Sequence, residues 1–304
     1  EVTVSLKPGM SAELEQMVVD GYVVKHGILD PELCARARDK VWALNNCERL
    51  RRDEPSTWHP FAAHEECPPV TGKLVSDTLA ESTPQMTRRG YGFWMSSPAT
   101  QADELLLDLL PRCPAVRVVA EQLLGHGRLI EPTGTAGSGG TARNPFETGH
   151  GTRGIYCTLP RTGEAAATDQ PCEAGARGGP PRGGHWDNIY CADAPSASCL
   201  LASAYINDVP KGAGGLVLWP GSHRRNWRYH SELYRGGLVR PPDRTAPNGD
   251  SINDLGNQIM ADSAPVECCG PTGTVIFWHY LVLHAAGVNI VADSIRQSVI
   301  YDFK

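Results

Sequence analysis

The sequence predicts a mainly β fold with packed α-helices, an α+β domain in which a helical N-terminal part precedes a β-rich core. Two observations carry this. Apolar residues recur at helical spacing up to about residue 128, and from Leu129 onward the chain breaks into short β-like runs separated by Gly and Pro. Helix and strand do not alternate, so the β part reads as a barrel or sandwich rather than a doubly wound sheet.

The helical part is legible element by element. Leu14, Met17 and Val18 define a helix over Ser11 to Val19, stopped by Asp20-Gly21, and Tyr22-Val23-Val24 follows as a short strand. Asp30-Pro31-Glu32 supplies an N-cap, a first-turn proline and an acidic first turn for a helix to about Asn45. Glu48 to Thr87, with Trp58, His59 and His64, shows no period and reads as surface loop and short helix. Asp103 to Leu110 and Pro114 to Leu124 are two further helices, the second ended by Gly125.

In the core, the predicted strands are Gly154 to Leu159, Leu200 to Val209, Gly214 to Trp219, Thr274 to Trp278 and Gln297 to Phe303. Two insertions interrupt them. Residues 161–184 are rich in Gly, Ala and Pro and too poor in apolar bulk to order themselves, which suggests either a passive insertion or a lid closed by substrate. Residues 229–267 form a second, polar insertion. Six arginines (224, 225, 228, 235, 240 and 244) lie around its start and read as a solvated face. A single domain, 1–304, accommodates all of this.

Composition excludes several classes. A net charge of −6 and a pI near 5.9 offer no general attraction to nucleic acid or to anionic membranes. The ten cysteines are scattered without a CxxC pair, so free thiols in a reducing, cytoplasmic setting are expected. No apolar run reaches membrane-spanning length, and no secretory leader pattern opens the chain.

The chemistry concentrates in His185-Trp186-Asp187 and in the block from Gly273 to Arg296. Strand alternation turns His185 and Asp187 to one face, so one strand offers an imidazole and a carboxylate to one ion. With His284 as third ligand, two histidines and a carboxylate make the donor set of a non-haem Fe(II) site that keeps positions open.

Four blocks resemble the phytanoyl-CoA dioxygenase-like family of Fe(II)- and 2-oxoglutarate-dependent oxygenases. They are Asp20 to Val24 with Leu29 to Glu32; His185-Trp186-Asp187; Gly214-Gly215-Leu216 through Pro220-Gly221-Ser222-His223; and Gly273 to His279 leading to His284-Ala285-Ala286-Gly287-Val288-Asn289 and Arg296. The likeness departs in the two insertions, where substrate choice would be set. It implies a double-stranded β-helix, a cupin-like jelly roll that brings His284 to His185 and Asp187. By the family's register His284, not His279, is the distal ligand, and His223 is a loop histidine with a structural hydrogen bond.

The resemblance also places Arg296 on the far carboxylate of 2-oxoglutarate, a task suited to a planar, permanently charged fork. Ser298 shares its strand face, and Tyr156 and Thr158 lie on one face of the strand before the first insertion, within reach of cofactor or substrate. Trp186 and Trp278 read as core aromatics, and Asn289 as a turn residue. The implied activity uses Fe(II), 2-oxoglutarate and O2 to oxidise, most simply to hydroxylate, a C–H bond of a small molecule, releasing succinate and CO2. Acyl-CoA, amino-acid-derived and specialised metabolites are the candidate substrates. Desaturation, cyclisation or epimerisation by the same cofactors, or a non-catalytic ligand-binding jelly roll, are the alternatives; Asp187 occupies the position that halogenation would need.

Overall fold

The computed structural model describes residues 9–43, 50–58, 86–89, 92–95, 98–132, 151–160, 184–186, 200–235 and 252–303. In chain order the elements are α1 (Ala12–Val19), β1 (Tyr22–Lys25), α2 (Pro31–Ala43), β2 (Met86–Arg89), β3 (Gly92–Met95), α3 (Pro98–Gln101), α4 (Glu104–Leu109) and α5 (Pro114–Leu124). They continue with β4 (Gly154–Thr158), β5 (Leu200–Tyr205), β6 (Leu216–Leu218), α6 (Ser222–Arg235), α7 (Ile252–Asp262), β7 (Val266–Cys268), β8 (Val275–His279), β9 (His284–Ala286) and β10 (Arg296–Phe303).

Local chemistry sets the helix ends. Ser11 accepts the Leu14 N–H at 3.3 Å and Asp103 accepts that of Leu106 at 3.3 Å, each satisfying a first-turn donor. Gly21 follows α1 at φ +84°, and a β-carbon there would stand 2.4 Å from His223 Nδ1 and 2.5 Å from Val282. Only glycine allows that approach.

The strands form a seven-stranded sheet, β1-β8-β5-β10-β4-β3-β2, and a three-stranded sheet, β7-β6-β9, with every pairing antiparallel. Period-2 alternation splits the large sheet's faces. Val23, Ala202, Ala204, Val275, Phe277, Val299 and Tyr301 face the helical layer, in one core with Met17, Ala37, Leu106 and Val116. Tyr22, Leu201, Tyr205, Ile276 and Trp278 face the small sheet, in a second core with Leu216, Leu218 and Cys268. Two antiparallel sheets packed face to face, with helices on one side, is the jelly-roll architecture expected. Tyr205 spans the gap: its hydroxyl donates to Cys268 O at 2.7 Å and accepts from Leu216 N at 2.8 Å.

The structure corrects several boundaries. β1 stands where Tyr22-Val23-Val24 was expected as a strand, but β2 and β3, at and beyond the end of the stretch read as loop and short helix, were not expected, and the N-terminal part gives the large sheet three strands. The segment 229–267, expected as an insertion, contains the end of α6, all of α7, and β7, whose pairing with β6 makes it part of the core. Its polar composition hid a three-residue edge strand. The first insertion lies outside the described residues up to position 183, as do Asp187, His59, His64, Arg240 and Arg244. Cys34, Cys113, Cys157, Cys268 and Cys269 are free thiols. Among the described residues no helix is long and apolar enough to cross a membrane.

Candidate active site

His185 and His284 lie side by side. The two residues exchange both backbone hydrogen bonds, His185 N to His284 O at 2.8 Å and His284 N to His185 O at 3.0 Å, as an antiparallel bridge. Directly opposed residues share a sheet face, and here the ring centroids are 4.5 Å apart. His284 also pairs with Leu218, an inner-face residue of the small sheet, so both imidazoles stand on the side turned toward the large sheet.

The tautomer follows from a second contact. His284 Nδ1 faces the Val282 carbonyl at 2.9 Å, an acceptor only, so Nδ1 carries the proton and Nε2 the lone pair. That is the arrangement a metal-binding histidine takes. The His284 ring is buried, with Trp278 5.5 Å away, while His185 is exposed. Two imidazoles on one face fit a divalent transition metal. Among the described residues no third metal-binding side chain joins them, because Asp187 lies outside.

Arg296 is 5 % exposed, and Thr158 Oγ1 accepts from its Nη2 at 2.6 Å and from its Nε at 3.1 Å. The two stand opposite each other in the β10–β4 register. Among the described residues no carboxylate pairs with this guanidinium, although burying a charge without a counter-charge is costly. Its charge is felt locally: burial pushes the Cys157 thiol and the Tyr205 hydroxyl up, and Arg296 pulls both back down.

Register places Tyr156, Ser298 and Tyr205 beside it on the same face. Ser298 Oγ donates to Tyr156 O at 3.4 Å and is fully buried. Asn289 donates from Nδ2 to Thr158 O at 3.1 Å and to Ser294 O at 2.6 Å, so it both shapes its turn and anchors the strand carrying Thr158.

His279 is placed elsewhere. Its Nδ1 accepts the Leu281 N–H at 3.1 Å, and its ring lies 5.5 Å from that of His223. Burial holds both rings down at about 4, with the neighbouring His223 adding to the effect on His279 and Arg224 to that on His223. His223 is not in a loop. It is the second residue of α6, and its Nε2 faces Val18 O at 3.2 Å. Of the arginine run, Arg225 pairs with Asp262 of α7 at 3.1 Å.

Sequence reasoning missed Tyr205 as the bridge between sheets; a tyrosine in an apolar strand gives no signal of it. It read Trp186 and Trp278 as core; Trp278 is buried and Trp186 half-buried. Trp278 lies on the inner face beside His284, and Trp186 packs on the outer face of the small sheet with Val217, Trp219, Leu283 and Ala285.

Two facing antiparallel sheets thus carry a histidine pair on one and, on the other, a buried arginine that no carboxylate among the described residues pairs with. In comparison with known proteins, the model of the phytanoyl-CoA dioxygenase (PhyH) family matches residues 173–298. The match spans His185, Asp187, His284, Arg296 and Ser298. The chain is 28% identical over 110 residues to the ectoine dioxygenase of Stutzerimonas stutzeri (strain A1501), which is 35% of this chain and 35% of that protein. The alignment thus spans about a third of the relative's length.

Among solved structures it is similar to the non-haem alpha-ketoglutarate-dependent carbocyclase SnoK from nogalamycin biosynthesis (TM-score 0.49, 16% identity, 97% of this chain and 84% of that one). It is also similar to the alpha-ketoglutarate-dependent epimerase SnoN from the same biosynthesis (0.48, 17%, 96% and 81%) and to EctD from S. alaskensis (0.47, 14%, 99% and 79%).

Proposed function

We propose that the chain is an Fe(II)- and 2-oxoglutarate-dependent oxygenase acting on a small-molecule substrate. The observation that carries the reading is Arg296: a buried guanidinium, oriented by a hydroxyl and paired with no carboxylate among the described residues, on the face opposite the histidine pair. A dicarboxylate that meets a metal at one end and an arginine at the other supplies the missing charge.

His185 and His284 would hold the metal through imidazole nitrogens, and the His-x-Asp sequence spacing supplies Asp187 as the anionic third ligand. The bound iron, with 2-oxoglutarate and O2, supplies the oxidising power, releasing succinate and CO2 as a C–H bond of the substrate is oxidised. Thr158 keeps the Arg296 fork in one orientation, so the far carboxylate meets a preorganised donor pair. Ser298 and Tyr156 complete that end of the site, and Tyr205 closes the space between the sheets there. The exposed His185 edge leaves an entry for substrate.

These residues hold cofactor and cosubstrate whatever follows the first C–H cleavage, so hydroxylation, desaturation, cyclisation and epimerisation share this site. Ectoine and other amino-acid-derived metabolites, specialised metabolites and acyl-CoA esters form the substrate panel. The test is succinate release from 2-oxoglutarate with Fe(II) and ascorbate across that panel, with the products analysed by mass. Substrate-dependent succinate that vanishes without Fe(II) supports the reading. An inability of the protein to bind either Fe(II) or 2-oxoglutarate overturns it.

A further inference from the structure

The turn before His284 is held at the N–H and C=O of each residue from Leu281 to Leu283. Leu281 N donates to His279 Nδ1 at 3.1 Å, Val282 N to His279 O at 2.9 Å, and Leu283 N to Ser222 Oγ at 2.9 Å. Val282 O faces His284 Nδ1, and Leu283 O accepts from Trp219 N at 3.0 Å. Leu281 O accepts from two side chains, Trp186 Nε1 at 2.9 Å and Asn226 Nδ2 at 3.3 Å. Of these side-chain partners, Trp186 alone comes from the segment that carries His185.

We infer that Trp186 is a positioning residue that sets the aim of both histidine-bearing segments by tying the His185 segment to the Leu281 carbonyl. The inference rests on the metal reading above. Successive residues of an extended segment turn to opposite faces, so whatever fixes Trp186 fixes the segment's rotation about its own axis, and with it the direction of the His185 imidazole on the other face.

Trp186 is fixed in two ways. Its ring packs with Trp219, Leu283, Leu255 and Ile259, and a β-carbon placed on Gly256 of α7 would lie 3.4 Å from it. Its N–H is spent on a carbonyl three residues before His284, in the turn whose Val282 carbonyl sets the His284 tautomer. The backbone bridge between His185 and His284, in the plane of the sheet, and the Trp186 hydrogen bond, on its outer face, tie the segments at two points, which resists twisting where one tie would not.

Removing the indole N–H while keeping an aromatic ring isolates the tie. Trp186→Phe does this, and Trp58→Phe is the control, since the Trp58 Nε1–H donates at 2.6 Å to Arg51 O in the helical part. The measurement is Mn(II) binding to the metal-free full-length protein by calorimetry and electron paramagnetic resonance, beside the melting temperature of each metal-free protein. Loss of an outer partner of a metal ligand costs roughly 10-fold or more in affinity. Expected is a dissociation constant about 10-fold higher for Trp186→Phe with an altered Mn(II) line shape, a wild-type constant for Trp58→Phe, and similar melting temperatures for both.

Equal affinity and line shape in wild type and Trp186→Phe overturn the inference alone, as does lost affinity that merely follows a collapse in melting temperature. Should the Phe variant fail to fold, Trp186→Met, with comparable apolar reach and no donor, is read by the same criteria. Absence of Mn(II) binding by the wild type overturns the metal reading itself, and this inference with it.

Discussion

Arg296 and Thr158 face each other across the β10–β4 pair, and one threonine oxygen accepts from both Nε and Nη2 of the guanidinium. That leaves the arginine oriented and its charge unanswered by any described carboxylate. Arg296→Leu is therefore expected to raise the KM for 2-oxoglutarate by about 100-fold or more, and that for the prime substrate little, because a charge-assisted bidentate pair is lost from one ligand only. Thr158→Val should give a smaller rise in the same constant. Steady-state kinetics with each substrate varied in turn decides it; parallel changes in both constants would make Arg296 structural.

His284 and His279 separate two roles five residues apart. His284→Ala should abolish metal binding and turnover, since the neutral imidazole with its Nδ1 proton on Val282 O has no described substitute. His279→Asn keeps an acceptor for the Leu281 N–H and should retain metal binding within a few fold. Calorimetric titration of both variants with Fe(II) under anaerobic conditions checks this.

The His223–His279 pair predicts acid sensitivity. Both rings are held neutral by burial, at about 4 against 6.5 for an ordinary histidine, so between these values the unfolded chain binds more protons than the folded one. Stability is full above pH 6.5 and falls as pH drops toward 4, by up to about 1.4 kcal/mol per pH unit for each ring. Melting temperatures from pH 7.5 to 5 should decline. The decline should be shallower in His223→Gln/His279→Asn, which keeps a donor for Val18 O and an acceptor for Leu281 N.

Tyr205→Phe tests the bridge between the sheets. The ring remains, but Cys268 O and Leu216 N lose their partner in a fully buried place. Stranding two buried polar groups costs about 2–4 kcal/mol, so the chemical-denaturation midpoint should fall with an unchanged slope. A midpoint equal to that of the wild type would show that the sheets do not depend on this hydroxyl.

Local chemistry made much of this legible in sequence. Ser11, Asp30-Pro31, Asp103 and Gly125 announce helix ends because capping acts over three or four residues. β5 and β8 show as apolar runs because each is buried on both sides, one face on the helices and one on the small sheet, and β4 and β10 show through the apolar residues they turn to the helices. β2, β3 and β7 did not show: each is only three or four residues long and gains its order from the neighbours it pairs with. β7 was hidden in an apparent insertion for that reason.

The sequence by itself determined the residue types of the site, through the His185-Trp186-Asp187 spacing and the block from Gly273 to Arg296. Only the tertiary structure decided which of them meet. His185 and His284 are ninety-nine residues apart in the chain (284 − 185) yet share a backbone bridge, because register between distant strands is set by burial of a whole face and not by any local signal. The same registry brought His284, not His279, beside His185, placed Thr158 against Arg296, and turned Trp186 toward the carbonyl of Leu281.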